Sequence, residues 1–286
     1  METIMKSARE FRQEALSVLP GRWGLAIGAT LLYGILNGGL TGVFSPELEL
    51  REDSVLSFEA LVPYIGILLA MFAISLVFSA IGASVQLGYN IFLLKYYEPE
   101  QKPSLGDLFC RFHIFWKAFG LRLVKELLIT LWALLPCIPG AILLVLLLSL
   151  KTILPGIPDV ILLVLLPSLE VILIVIFTIL TIGLVTVMSY SYAMAPYLMA
   201  ENPDMGIMEA IRRSKEIMHG NKWRLFCLHF SFIGWAFLCL FTCAIGYLFL
   251  SPYQMLAEVA FYREITGKNH ITYTEPTDFY YTNPIQ

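Results

Sequence analysis

Charge is scarce in this chain of 286 residues, with 14% Asp, Glu, Lys and Arg where soluble domains carry about 25%. With 58% hydrophobic residues and a mean hydropathy of +0.73, there is too little polar surface to clothe a soluble fold, so a soluble enzyme is not expected. Metal ligands and redox pairs are scarce as well. The four histidines, His113, His219, His229 and His270, are scattered and no H-E-x-x-H occurs, which removes a helical zinc site. Five cysteines without a C-x-x-C, most of them in apolar segments, read as small buried hydrophobes and not as a disulfide frame. Asp53, Asp107, Asp159, Asp204 and Asp278 all fall in loops, ends or the tail, so an aspartyl intramembrane protease has no catalytic pair. The phosphate loop G-x-x-x-x-G-K-[ST] is missing, and a net charge of -3 is too small to suggest nucleic acid. No cofactor, metal or catalytic residue is expected.

What the chain does have is long apolar stretches. Uncharged runs cover 23–46, 60–94, 127–150, 171–200 and 225–257, each longer than the roughly 20 residues that cross a bilayer as a helix. The expectation is an all-α, polytopic transmembrane bundle of five spans, forming one domain over 1–265 with a mobile polar tail at 266–286. If the N-terminus is cytoplasmic, 15 of the 19 lysines and arginines fall on the inner side, leaving Arg51, Lys151, Arg263 and Lys268 outside. This sets a cell-membrane protein with the N-terminus inside and the C-terminus outside. The stretch 127–200 is broken by Pro136, Pro139, Pro155, Pro158 and Pro167, so a sixth span is the alternative there. In the five-span reading, 151–169 is an apolar, partly interfacial segment on the outer face.

Each inner segment carries an amphipathic helix. Ile4, Ala8, Phe11, Ala15 and Val18 recur at helical spacing within 1–19, as in a helix floating on the inner leaflet. Ser104-x-x-Asp107 reads as a capping box opening a second helix with Leu108, Phe112, Phe115 and Phe119 along it. Asn202-Pro203 reads as the start of a third, which carries Ile207, Ile211 and Met218 and stops at Gly220. The joins Pro20-Gly21-Arg22-Trp23 and Gly220-Asn221-Lys222-Trp223 look alike and hint at an internal repeat.

Candidate polar sites are few, because a charge at bilayer depth costs at least about 2.5–3.5 kcal/mol on insertion scales. Glu170 stands alone between apolar stretches; as a bland alternative it marks the outer start of a span after Pro167. Gln86 and Asn90, four residues apart, share a helix face and serve either a ligand or a neighbouring helix. His229 and Ser231 near the inner end of the last span read as a polar lining or a packing pair. Gly24-x-x-x-Gly28 and Gly34-x-x-x-Gly38 are candidate close-packing faces. Pro252-Tyr253 is expected to end the last span at the outer interface.

The C-terminal half carries a recognisable pattern: Ser214, Met218-His219-Gly220, Lys222, Leu225-Phe226, Ser231-Phe232-Ile233-Gly234-Trp235, Pro252-Tyr253 and Phe261-Tyr262. With Leu131-Trp132, Ile138-Pro139-Gly140 and Tyr190 through Tyr197 upstream, it resembles the domain of unknown function 975 family of bacterial integral membrane proteins. The chain departs from that pattern in carrying extra apolar residues over about 141–185. The resemblance implies a membrane class and a bacterial envelope location, and no reaction. The leading functional expectation is a non-enzymatic component that assembles in the lipid bilayer with itself, as a homo-oligomer, or with another membrane protein. The alternative is a transporter or exporter component for an apolar or amphiphilic solute, and a lipid enzyme using Glu170, His229 or His113 comes third.

Overall fold

The computed structural model describes residues 6–39, 58–98, 100–153, 159–242 and 245–268. Among these, the regular structure is all helical. Helix α1 (Ala8–Val18) is opened by a capping box in which Ser7 and Glu10 satisfy each other's backbone donors. Gly21, at φ +75°, then turns the chain through 107° into α2 (Trp23–Gly34), which widens into a π turn over Ile35–Gly39. A residue with a Cβ is strained at that φ, so a glycine is needed at the corner. The same device recurs between α7 (Ile207–Met218) and α8 (Lys222–Leu240), where Gly220 sits at φ +81°.

The long helices run as antiparallel hairpins. In the first, α2 lies along the second half of α3 (Phe58–Leu94): Tyr96, just past the helix, donates to the Arg22 carbonyl at 3.1 Å, and the Thr30 and Tyr89 hydroxyls meet at 2.8 Å. In the second, α4 (Phe115–Ile153) pairs with α5 (Asp159–Ser191), with Gly140 set against the Phe177 ring. In the third, α8 pairs with α9 (Ile245–Ile265): Arg224 meets Glu264 at 2.5 Å at one end, and the Phe232 and Tyr253 rings stack edge to face at 5.1 Å further along. Short α6 (Ala195–Glu201) and α7 bridge the second and third hairpins.

Burial is concentrated at one end of the bundle, where Phe11, Tyr89, Phe92, Tyr192, Phe261 and Tyr262 are enclosed. Towards the other end the helices turn large apolar side chains outward, among them Phe72, Leu131, Ile179, Phe237 and Leu240. Water would penalise such a surface, whereas lipid tails match it. Four helical stretches are long and apolar enough to cross a membrane, and five if the bent α1–α2 pair counts as one.

Several expectations are corrected by the packing. The apolar face of helix α1 is not left free for lipid: Phe11, Ala15 and Leu19 are buried, and the Phe11 ring meets Phe261 of α9 edge to face at 5.5 Å. The run 225–257 is not one helix but two, α8 and α9, of which α8 alone is long and apolar enough to cross a membrane, and α9 continues through Pro252 to Ile265. Glu264 therefore comes back beside Lys6, whose backbone N–H reaches it at 3.4 Å, so the described C-terminal end lies with the N-terminal helix and not opposite it. Pro136 and Pro139 sit inside α4, and among the described residues of 151–169 the first three close α4 and the rest open α5, which runs unbroken from 159 to 191, so no separate segment stands between the two helices there; 154–158 lie outside the described residues. The capping box at Ser104 and Asp107 forms, but it opens short 3₁₀ turns (Leu105–Phe109 and Phe112–Ile114) ahead of α4. Asn202 closes α6, and the following helix starts at Ile207 after Gly206. The glycines that matter also differ: an added Cβ at Gly24, Gly28 or Gly34 would meet nothing within 4 Å, whereas one at Gly88 would collide with the Leu108 carbonyl. The tail beyond residue 268 lies outside the described residues.

Candidate functional site

A polar cavity of about 270 Å³ opens between the hairpins. Helix α3 supplies Gln86 and Asn90, which the helical repeat places on one face. Tyr89 lies beside them and stacks on Tyr33 of α2, with ring centroids 4.5 Å apart and planes 4° from parallel. That wall is braced from behind, because Asn37 donates to the Tyr33 hydroxyl at 3.0 Å and Arg122 donates to Asn37 at 2.6 Å. One turn beyond Arg122 on α4, Lys125 reaches the cavity. The end of α5 brings Ser189 and Tyr190, the turn after it Ala193, and α6 Pro196 and Tyr197. The third hairpin completes the lining with His229 from α8 and Met255 and Glu258 from α9.

Electrostatically the site is mixed and incompletely paired. His229 Nε2 lies 3.6 Å from a Glu258 oxygen, close enough for attraction but too far for a good hydrogen bond. The Tyr190 ring stands 5.6 Å from the imidazole. Lys125 has Glu126, its neighbour in sequence, at 4.0 Å, and among the described residues no carboxylate is closer. Asn90 is 5% exposed, and its Nδ2 has no hydrogen-bond partner among the described residues. An unmet donor so deeply buried is costly, by about 1–3 kcal/mol, unless something else accepts its proton.

Three of the five polar candidates read from the sequence, Gln86, Asn90 and His229, thus meet in one cavity. Ser231 does not join them; its hydroxyl bonds back to the Leu228 carbonyl at 2.7 Å, and its own carbonyl accepts from Arg12 of α1 at 3.4 Å. Glu170 is half-buried on α5 and is not part of the lining. Sequence reasoning passed over Lys125 and Glu258. The available signal was charge set against an apolar run, Lys125 with Glu126 before Leu127–Leu135 and Glu258 alone between Ala257 and Val259. Other hollows are apolar, such as the groove of about 390 Å³ beside Trp235, Leu238 and Phe249. Among the described residues no cluster of three His, Cys, Asp or Glu could hold a metal ion.

Long helices with apolar side chains turned outward and polar ones gathered inward are, by length and composition, those of a membrane protein. More specifically, the chain belongs to the family described as protein of unknown function (DUF975), which it matches over residues 5–269. No curated protein and no solved structure matches it.

Proposed function

We propose that this chain is an integral membrane protein that binds a small amphiphilic solute between its helices, as the binding component of a transport process. The observation that carries this reading is the polar cavity, which gathers Gln86, Asn90, Lys125, His229 and Glu258 from four separate helices. Ionisable groups are expensive at such a depth, and helices that converge them on an open space do so where a ligand or ion passes. Assembly with a partner has weaker support, since lipid covers the outward apolar faces of α4 and α5 as well as a protein would.

The topology we propose has three hairpins, each preceded by an interfacial segment, with both described ends on the cytoplasmic side of the cell membrane. All but Arg51 and Lys151 of the 19 lysines and arginines then lie inside, a sharper asymmetry than the five-span count gives. Mass spectrometry of small amphiphiles retained by the purified chain tests the binding function. Wild type should retain one that is lost from Ala193→Phe, which fills the cavity, at an unchanged unfolding midpoint. Equal retention by both proteins refutes the reading.

A further inference from the structure

Resting on that binding function, we infer that the cavity takes a small zwitterion, with its ammonium group at Glu258 and the tyrosine rings and its anionic group at Lys125 and Asn90. Two side chains of opposite sign line one space without pairing with each other: no ion pair joins Lys125 to Glu258 within 4.0 Å among the described residues, Lys125 has only Glu126 at the 4.0 Å limit, and the basic group nearest Glu258 among those residues is the His229 imidazole at 3.6 Å, which carries charge only when protonated. In a site walled by lipid-facing helices, each such charge stays costly until it meets its opposite. A ligand bearing both signs satisfies both groups and adds no net charge. A purely anionic or purely cationic ligand leaves one of them as it was.

The other polar groups of the lining suit the same ligand. On the anionic side, Asn90 Nδ2 is a buried donor with no partner among the described residues. On the cationic side, Tyr190 stands next to His229, and Tyr197 lines the same space, so π faces are available to an ammonium group. Size limits the ligand further. About 270 Å³ is below the roughly 300–1,000 Å³ of pockets for drug-sized molecules, so it holds a headgroup or a small free zwitterion and not a whole lipid. The shared chemistry has two sources, the aminoethyl phosphate headgroup of a phospholipid and a free zwitterion of the amino acid type.

The test uses the full chain, purified and delipidated in detergent. In the lipid arm, native mass spectrometry compares retention of dioleoylphosphatidylethanolamine with that of dioleoylphosphatidylglycerol, which lacks the ammonium. In the solute arm, calorimetry compares glycerophosphoethanolamine, a phosphodiester with no net charge, and β-alanine with ethanolamine alone and with dimethyl phosphate and propionate alone. The zwitterion of at least one arm should bind about tenfold or more tightly than its singly charged counterparts, as expected for one additional charge-assisted contact. Preference in the first arm alone assigns the site to a lipid headgroup, and preference in the second alone to a free solute. Glu258→Gln should abolish the preference over the anion-only probe, and Lys125→Met that over the cation-only probe. If either variant fails to fold, the probe series on wild type decides alone. Binding that ignores the ammonium, or that survives Glu258→Gln at full strength, overturns the zwitterion while leaving solute binding standing. No binding in either arm, with the same amphiphiles retained by wild type and Ala193→Phe, removes both.

Discussion

Replacing Gly88 by alanine would set a methyl carbon 2.0 Å from the Leu108 carbonyl oxygen and 2.4 Å from its carbon, with the Asp107 carbonyl at 2.7 Å. Ordinary contact begins near 3.4 Å, so this stretch of backbone must retreat by about 1.4 Å. It cannot do so freely. The same stretch is held by the Ser104–Asp107 capping box and by Lys95, whose ammonium lies 2.7 Å from the Asp107 carboxylate. Overpacking of this kind costs about 1–3 kcal/mol, and loosening the cap adds about 1 kcal/mol. Alanine's better helix propensity returns about 1 kcal/mol. The balance is a loss near 2 kcal/mol, roughly a thirtyfold shift towards the unfolded form. Gly28→Ala is the matched control: it meets nothing within 4 Å, so the propensity gain stands alone and stability should hold or rise. Denaturant unfolding of the detergent-solubilised protein measures both. A Gly88→Ala protein as stable as Gly28→Ala would refute the close packing of this segment on α3.

Three further outcomes are expected. Phe11→Ala removes the ring that meets Phe261 and empties a fully buried position, so thermal unfolding should show a loss of about 3–5 kcal/mol, and limited proteolysis should cut first within α1. Arg224→Ala should destabilise by about 1–3 kcal/mol by leaving Glu264 underpaired, and Arg224→Ala/Glu264→Ala should lose less than the sum of its single variants. In a cysteine-free background, probes at Lys222→Cys and Lys268→Cys should label from the cytoplasmic side and Lys151→Cys from the other; opposite labelling of 222 and 268 would sink the three-hairpin topology.

Much of the architecture was legible because lipid imposes a simple demand, long uncharged runs bounded by cations. The helical class follows from those runs, and the turns at Gly21 and Gly220 from the Gly-Arg-Trp and Gly-Asn-Lys-Trp joins. What could not be read was where a run folds back. Residues 225–257 carry no charge to mark a turn, and α9 includes Gln254 and Glu258 because it packs against protein on several sides, so hydropathy weakens where burial is greatest. The cavity was half legible for a related reason. Gln86 and Asn90 announce themselves by a four-residue spacing within one helix, whereas Lys125, His229 and Glu258 come together only through the docking of three others. A one-dimensional pattern holds no record of that docking.

The seating of α1 on α9 has a bearing on how the protein is made. Phe11 and Phe261 are 250 positions apart, so the apolar stripe of α1 stays uncovered until α9 has emerged from the ribosome. Closure of the bundle is thereby tied to the synthesis of α9, and a chain terminated before it would display that stripe to the membrane surface and to the proteases that patrol it.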